Sequence, residues 1–361
     1  MNWKEAGYKL LAGDHMEKLQ GQFVISLDFE MYWGIRDIYS LHRYDKEMSG
    51  ERQLIPKLLT YLEENEIHVT WAIVGLLFFE NYDELANNLP VMKPEYSSPE
   101  LSPYPYIKNG NVGLNELQDP HHYAPSLIKA IKETRNQQIS THTFSHYYCL
   151  ERGQSLEHFE ADLKAAVRIA EKKGLKLKSI IFPRNQVNDN YINVLKKYGI
   201  LSYRGNPSHW IYKKGYSRSD SMVKRIFRLA DSYINISGHN CYAMHELQKQ
   251  IPLNLPASHF LRPYSQRTNL LETLRLKRVL SSMTYAAQRG LVYHLWWHPY
   301  NFANDEDANM AAFQQIIEHF KRLQKQYGMV STSMEELCEK VLGTQHNQEV
   351  LTMSQKMREV R

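Results

Sequence analysis

Cysteine is scarce in this chain. Cys149, Cys241 and Cys338 are an odd number, far apart, with no CxxC pair among them. That excludes a disulfide framework and a cysteine-based metal centre, and it suits a reducing cytosol. Long apolar runs are missing as well. No stretch approaches the ~18 consecutive apolar residues of a membrane span, and the opening residues Met1 to Tyr8 lack the basic-then-apolar pattern of an export signal. An integral membrane protein is therefore excluded, and a cytoplasmic location is expected. A strong excess of one charge is also lacking: 44 Lys and Arg against 39 Asp and Glu leave +5, too mild to argue for a nucleic-acid partner.

What remains is the composition of a folded globular protein, with 43% hydrophobic and 23% charged residues. The 361 residues suit one catalytic domain over 1–342, with a core of about 20–340, followed by a polar tail at 343–361. In that tail Val350, Met353, Met357 and Val360 could line one face of a helix. Residues 2–20 read as a short helix. Gln22 to Asp28 is a β-branched and aromatic run, hence a strand. Leu54, Leu58, Leu59 and Leu62 follow at helical spacing, and Ile67 to Val74 reads as a second buried strand.

Strand, helix and strand in order imply parallel pairing with a crossover. The alternation resumes with helices over 124–135, 156–173 and 187–198 and strands over 138–141, 177–182 and 200–203. It ends with a helix over 270–289 closed by Gly290, a strand over 291–298, a helix over 306–326 and a short strand near 329–331. Two segments break the pattern. Residues 89–120 carry six prolines and residues 204–266 are aromatic, basic and punctuated by Gly and Pro; both read as insertions.

Chemistry enters at His142-Thr-Phe-Ser-His146. Two imidazoles four residues apart can grip one metal ion, yet 16 His in 361 residues give roughly 0.7 such pairs by chance. The setting raises this pair above chance, because it follows an apolar run ending in a loop, and a carboxylate pair, Asp28 and Glu30, closes another such run. In an extended strand Asp28 and Glu30 share a face, so one can hold a metal while the other stays free as a base. Two His and one carboxylate leave coordination positions open, as in catalytic rather than structural zinc sites. No Glu follows His142, so the zincin pattern HExxH is absent and Asp28 is the natural base. Val292, His294, Trp296 and His298 alternate onto one face of the last long strand. His298 belongs at its mouth, and His294 lies about 13 Å deeper at ~3.3 Å per residue, as a buried, hydrogen-bonded histidine.

These residues resemble the motifs of the polysaccharide deacetylases of carbohydrate esterase family 4, which share the NodB homology domain. The matching stretches are Ser26-Leu-Asp28-Phe-Glu30, His142-Thr-Phe-Ser-His146, Phe182-Pro-Arg184-Asn and Trp297-His298-Pro299, in the family's order. The resemblance implies a distorted (β/α) barrel of parallel strands, of the seven-stranded type, with the site at the strands' C-terminal ends. It implies Asp28 as catalytic base, Glu30, His142 and His146 as ligands of one divalent metal ion, and His298 as general acid. Zinc is the first choice, with cobalt, nickel or manganese as alternatives. Arg184 would pair with Asp28. Trp33, Tyr147, Asn185, Asp231, Arg262 and Trp297 are candidate substrate contacts.

The chain departs from the family's commoner form in three places. Asp-x-Glu replaces two adjacent Asp, Asn185 follows Arg184 where an aromatic residue is usual, and no Asp clearly matches the one that orients the late His, Asp220 and Asp231 being candidates.

The activity implied is hydrolysis of an N-acetyl or other amide-linked acyl group on a sugar. Without an export signal, a nucleotide- or lipid-linked intermediate of surface-polysaccharide synthesis is the expected substrate. Its phosphate would meet the basic clusters Arg204 to Arg228 and Arg275, Lys277, Arg278. The alternatives are a deformylase or other non-peptide amide hydrolase on the same fold, and an inactive barrel that only binds carbohydrate.

Overall fold

The computed structural model describes residues 20–213, 221–247 and 250–343; the helix expected at 2–20 and the tail beyond 343 fall outside them. Its centre is a parallel sheet. The strands are β1 (Gln22–Phe29), β2 (Val69–Ile73), β3 (Gln137–Thr141), β4 (Ser179–Ile181), β5 (Ser202–Arg204), β6 (Leu253–Asn254), β7 (His259–Phe260), β8 (Val292–Trp297) and β9 (Val330–Thr332). They run in the order β6-β5-β4-β3-β2-β1-β8-β7, with β9 paired to β1. β9 holds Gln22 to Val24 and β2 holds Ile25 to Phe29.

The strands β6 and β7 end the path, yet they lie on one short extended run. Ala257 N–H donates to Gly205 at 3.0 Å beside β5, and the next residue, Ser258, donates to His294 on β8 at 2.7 Å. This run curls the sheet into the distorted barrel of parallel strands implied by the resemblance. It also corrects two expectations: the 204–266 segment, read as an insertion, supplies two strands to the sheet, and the strand count exceeds seven.

Strand alternation sorts each side chain inward or outward. On β1, Phe23, Ile25, Leu27 and Phe29 face the helices in the main core, whereas Val24 packs inside the barrel with Ala72, Ile181, Leu253 and Val292. Each large apolar side chain so buried contributes about 1.5–3 kcal/mol. The outer layer includes α1 (Leu41–Glu64), α2 (Pro125–Glu133), α3 (Leu156–Lys172), α4 (Met222–Asp231), α5 (Glu272–Arg289) and α6 (Glu306–Tyr327). Leu54, Leu58, Leu59 and Leu62 of α1 are all buried, as their spacing requires. α5 stops at Gly290, whose φ of 66° is the left-handed conformation that a residue without Cβ adopts freely.

The proline-rich 89–120 segment does contain a helix, Pro103–Lys108. Its prolines sit in the first turn, where a missing N–H costs nothing. The segment reaches the strand ends through Tyr96, whose hydroxyl accepts from the Tyr148 N–H at 2.9 Å.

Candidate active site

The inward row of β1 climbs from apolar Val24 through Ser26 to Asp28, and the chemistry begins at its upper end. Arg204, at the end of β5, is buried against Asp28 and grips both carboxylate oxygens, Nη1 to Oδ1 and Nη2 to Oδ2, each at 2.7 Å. Nη1 also donates to Ser26 Oγ at 3.0 Å, and Nη2 to Asn185 Oδ1 at 2.9 Å. The guanidinium lies 4.2 Å from the centre of the Trp296 ring. Burial, the largest single influence, would raise the Asp28 carboxyl, but the charges of Arg204, His142 and His298 together with the Arg204 hydrogen bond outweigh it and hold the group below its usual range. Deeper in the barrel, His294 Nε2 meets Ser26 Oγ at 2.9 Å. Burial and the Arg204 charge push its pKa down to about 3, so it is neutral near pH 7.

Glu30, His142 and His146 form a cluster whose potential ligand atoms all lie within 4.8 Å of one another. Both His Nε2 atoms point at Glu30 Oε2, from 3.1 Å for His142 and 2.9 Å for His146. Nitrogen and oxygen donors at about 2.0–2.2 Å from a tetrahedral ion stand a little over 3 Å apart, so this set fits a divalent metal without rearranging the backbone.

The two histidines sit on a loop, not on one face of a helix, and positive φ at Thr143 and His146 (64° and 58°) folds the segment back on itself. Such residues persist only where neighbours hold them. Asp162 on α3 supplies that hold, accepting from Phe144 N at 2.7 Å, from Ser145 N at 3.1 Å and from the Ser145 hydroxyl. Gly34 clears space for Glu30, because a Cβ there would come within 2.0 Å of the Glu30 carboxyl carbon. The Tyr300 hydroxyl donates to Glu30 Oε1 at 3.3 Å. Burial raises the Glu30 carboxyl, but His298 and His146 bring it well below its ordinary value.

Arg184 does something other than expected. Its Nη2 donates to both oxygens of Asp37, at 2.7 and 2.6 Å. Its guanidinium covers the Tyr148 ring at 4.6 Å. The Tyr148 hydroxyl is 3.0 Å from His146 Nδ1 and 3.4 Å from Asp37 Oδ1. Arg184 therefore braces His146 from behind, and the bond to Asp28 expected of it is made by Arg204.

His298 closes the site, its Nε2 3.5 Å from Glu30 Oε1 and 3.8 Å from Asp28 Oδ2. On its other side the Asn301 side-chain amide lies 3.3 Å from Nδ1. An amide N–H donating there leaves the ring proton on Nε2, facing the carboxylates. Asn301, three residues after His298, thus takes the orienting place considered for Asp231 and Asp220. Asp220 lies outside the described residues. Asp231 is buried elsewhere, accepting from Tyr212, Ile236 and Ser237.

The other expected substrate contacts divide. Trp33 is buried with its indole N–H donating to the His122 carbonyl at 3.0 Å. Tyr147 is buried with its hydroxyl donating to Gln154 at 2.8 Å. Trp297 faces the outer core, stacked on Phe302 at 5.2 Å. None of these three lines the cavity beside the site; strand parity gives that place to Trp296. Asn185 and Arg262 do line that cavity, a space of about 210 Å³ shared with Tyr212, Arg228, Phe260 and Trp296. Phe260 and Trp296 also touch His298, with ring centres at 6.1 and 5.6 Å, so the cavity opens one side chain away from the carboxylates. Two members of the second basic cluster are internal framework, while Lys277 is exposed: Arg275 ties Glu272 to the Arg262 carbonyl, and Arg278 bonds the carbonyls of Asp231 and Gly238. Arg204 serves Asp28. The signals missed in sequence were therefore Arg204, Asn301, Tyr300 and Gly34, none of which belongs to a spaced pair.

Comparison with known proteins agrees with this architecture. A family model described as polysaccharide deacetylase matches residues 43–202, a span that takes in His142, His146 and Arg184. No curated protein matches the sequence. Among solved structures, a protein assigned as a polysaccharide deacetylase from Mycobacterium smegmatis superposes with a TM-score of 0.56 and 12% identity, over 94% of this chain and 96% of that one. Puue allantoinase superposes with a TM-score of 0.50 and 10% identity, over 88% and 89%. Residues 43–202 thus match the polysaccharide deacetylase family, whose members are hydrolases acting on non-peptide C–N bonds, and the curled sheet of parallel strands is the fold shared with the Mycobacterium smegmatis protein.

Proposed function

We propose that this protein is a metal-dependent deacylase that removes an N-acetyl group from a sugar. The observation that carries the reading is the convergence of Asp28, Glu30, His142, His146 and His298 at one mouth of the barrel. Within it, three donors are spaced for one ion, and a fourth group, Asp28, is held ionised but outside the donor set. A divalent ion on Glu30, His142 and His146, zinc first, would supply Lewis acidity toward the acyl carbonyl and toward water.

The chain's own residues do the rest. Asp28 keeps a free lone pair on each oxygen beyond its bonds to Arg204, and it accepts the proton of the attacking water. His298 acts as the imidazolium, delivering its Nε2 proton to the leaving amine and ending neutral, with the Asn301 side chain turning its amide oxygen to Nδ1–H while Asp28 holds the proton taken from water. Arg204 keeps Asp28 charged and still.

The substrate we infer is a nucleotide- or lipid-linked sugar handled in the cytoplasm. Arg228 and Arg262 support a phosphate-bearing substrate, because they line the cavity that begins beside Trp296 and Asn185. Three free cysteines, two of them buried, are in keeping with a reducing compartment. The reading is tested by bound metal per chain in wild type and His142→Ala, together with acetate release from N-acetylated sugar nucleotides. About one ion in wild type, almost none in the variant, and acetate from wild type alone are expected. Equal metal in both would remove the site, and formate in place of acetate from matched N-formyl substrates would move the assignment to a deformylase.

A further inference from the structure

Helix α4 is amphipathic in the reverse sense for a surface helix. Its polar arc faces the body of the protein: Lys224 Nζ donates to the Lys213 carbonyl at 2.8 Å, Arg228 Nη1 to the Ile211 carbonyl at 2.8 Å, and Asp231 is fully buried. Its apolar arc faces outward. Met222, Val223, Ile226 and Phe227 are between 40% and 75% exposed. Trp210, itself 48% exposed, extends this surface by packing edge-on against Phe227 at 5.6 Å. Surface helices of water-soluble folds place these arcs the other way round, and a contiguous apolar patch marks a docking surface.

We propose that this face seats the enzyme on an anionic phospholipid surface. Three observations select a bilayer over a second copy of the chain. Among the described residues, the exposed charges on or just before the helix, Lys213 and Arg225, are cationic, which suits anionic headgroups and would repel when two copies faced each other. The patch is a row of separate side chains with an indole at its border, the composition of an interfacial helix rather than of an interlocking groove. The opposite side of the same helix lines the active-site cavity with Arg228 and with Ser232 just beyond its end. A protein lying on α4 therefore holds that cavity one helix thickness, about 10 Å, from the headgroup layer, where the phosphate of a lipid-linked sugar would be found. Docking needs no assumption about the chemistry; its service to a lipid-linked substrate rests on the function proposed above.

The test is flotation of the full-length protein with phosphatidylcholine vesicles and with vesicles also containing phosphatidylglycerol, for wild type, the double variant Ile226→Ser with Phe227→Ser, and Arg225→Glu. All the altered side chains are exposed, and a melting curve confirms the fold of each. Wild type is expected to float with the anionic vesicles only. The double variant should lose binding by roughly tenfold or more, and Arg225→Glu by a smaller factor that vanishes in high salt. Acetate release from a soluble substrate should stay unchanged in all three. Wild type left behind by both vesicle types, or variants that float equally well, would overturn the proposal. So would a self-associated wild type that the double variant renders monomeric without any vesicle binding, since the face would then join two copies. Flotation is read without turnover, so failure of the deacylase reading leaves it standing, and the reverse.

Discussion

Two arginines compete for one role, and substituting each separates what they do. Arg204 is buried, and its bidentate pairing is the direct ion pair that holds the buried Asp28 carboxylate. Arg204→Gln would leave that carboxylate uncompensated, a loss of about 3–5 kcal/mol, unless the group takes up a proton and ceases to be a base. Either way turnover should fall by roughly 10²–10⁴, while the Glu30, His142 and His146 donors stay in place, so bound metal should be near wild type and excess metal should restore nothing. Arg184→Gln acts through Asp37 and Tyr148 on His146. Loosening the partner behind a ligating imidazole weakens metal affinity by roughly 10–100-fold, so its activity should recover as metal is added. The assay is acetate release across a metal titration, with urea midpoints measured on the same samples. Rescue of Arg204→Gln by metal, or an Arg204→Gln enzyme with near-normal turnover, would refute the assignment of Arg204 to Asp28.

Two further outcomes follow from the geometry. Gly34→Ala would drive a Cβ to within 2.0 Å of the Glu30 carboxyl carbon, so metal per chain should drop sharply while far-UV circular dichroism stays native; unchanged metal would mean Glu30 is not a ligand. Asp162 is pushed up to about 6 by burial, against the donors of Phe144 and Ser145. A carboxyl raised in the folded state favours folding fully below its unfolded value near 4, and this contribution is lost as pH rises from about 4 to about 6, by up to about 3 kcal/mol. Asp162→Asn should remove that slope, which urea midpoints between pH 4 and pH 7 would show; a variant with the wild-type slope would place the titration elsewhere.

Most strands and long helices were legible because their side chains repeat with the period of the element. Gln22 to Asp28 and Leu54 to Leu62 are such runs, and both end close to the observed C-terminal limits at Phe29 and Glu64, although the helix begins well before its leucine stripe, at Leu41. The ligand set was legible for a different reason. Spacing within one loop and at one strand end survives in sequence, and Glu30, His142 and His146 do converge. The segment 204–266 was opaque because β6 and β7 have two residues each, too few to show alternation. Pairing with β5 and β8 makes them strands, and pairing is not written in local sequence.

The arginine exchange has the same origin, and parity explains it. On β4, Ile181 faces the barrel interior and Phe182 the outer core, so position 184 continues the outward parity, and its left-handed φ of 53° turns it further along the rim toward Asp37. On β5 the register sets Arg204 opposite Ile181, hence inward, on the same side as Asp28. The β5 run was read as 200–203, one residue short, and that single residue hid the partner of the base. A motif places an arginine near a strand end; only the phase of the strand decides which carboxylate it can reach.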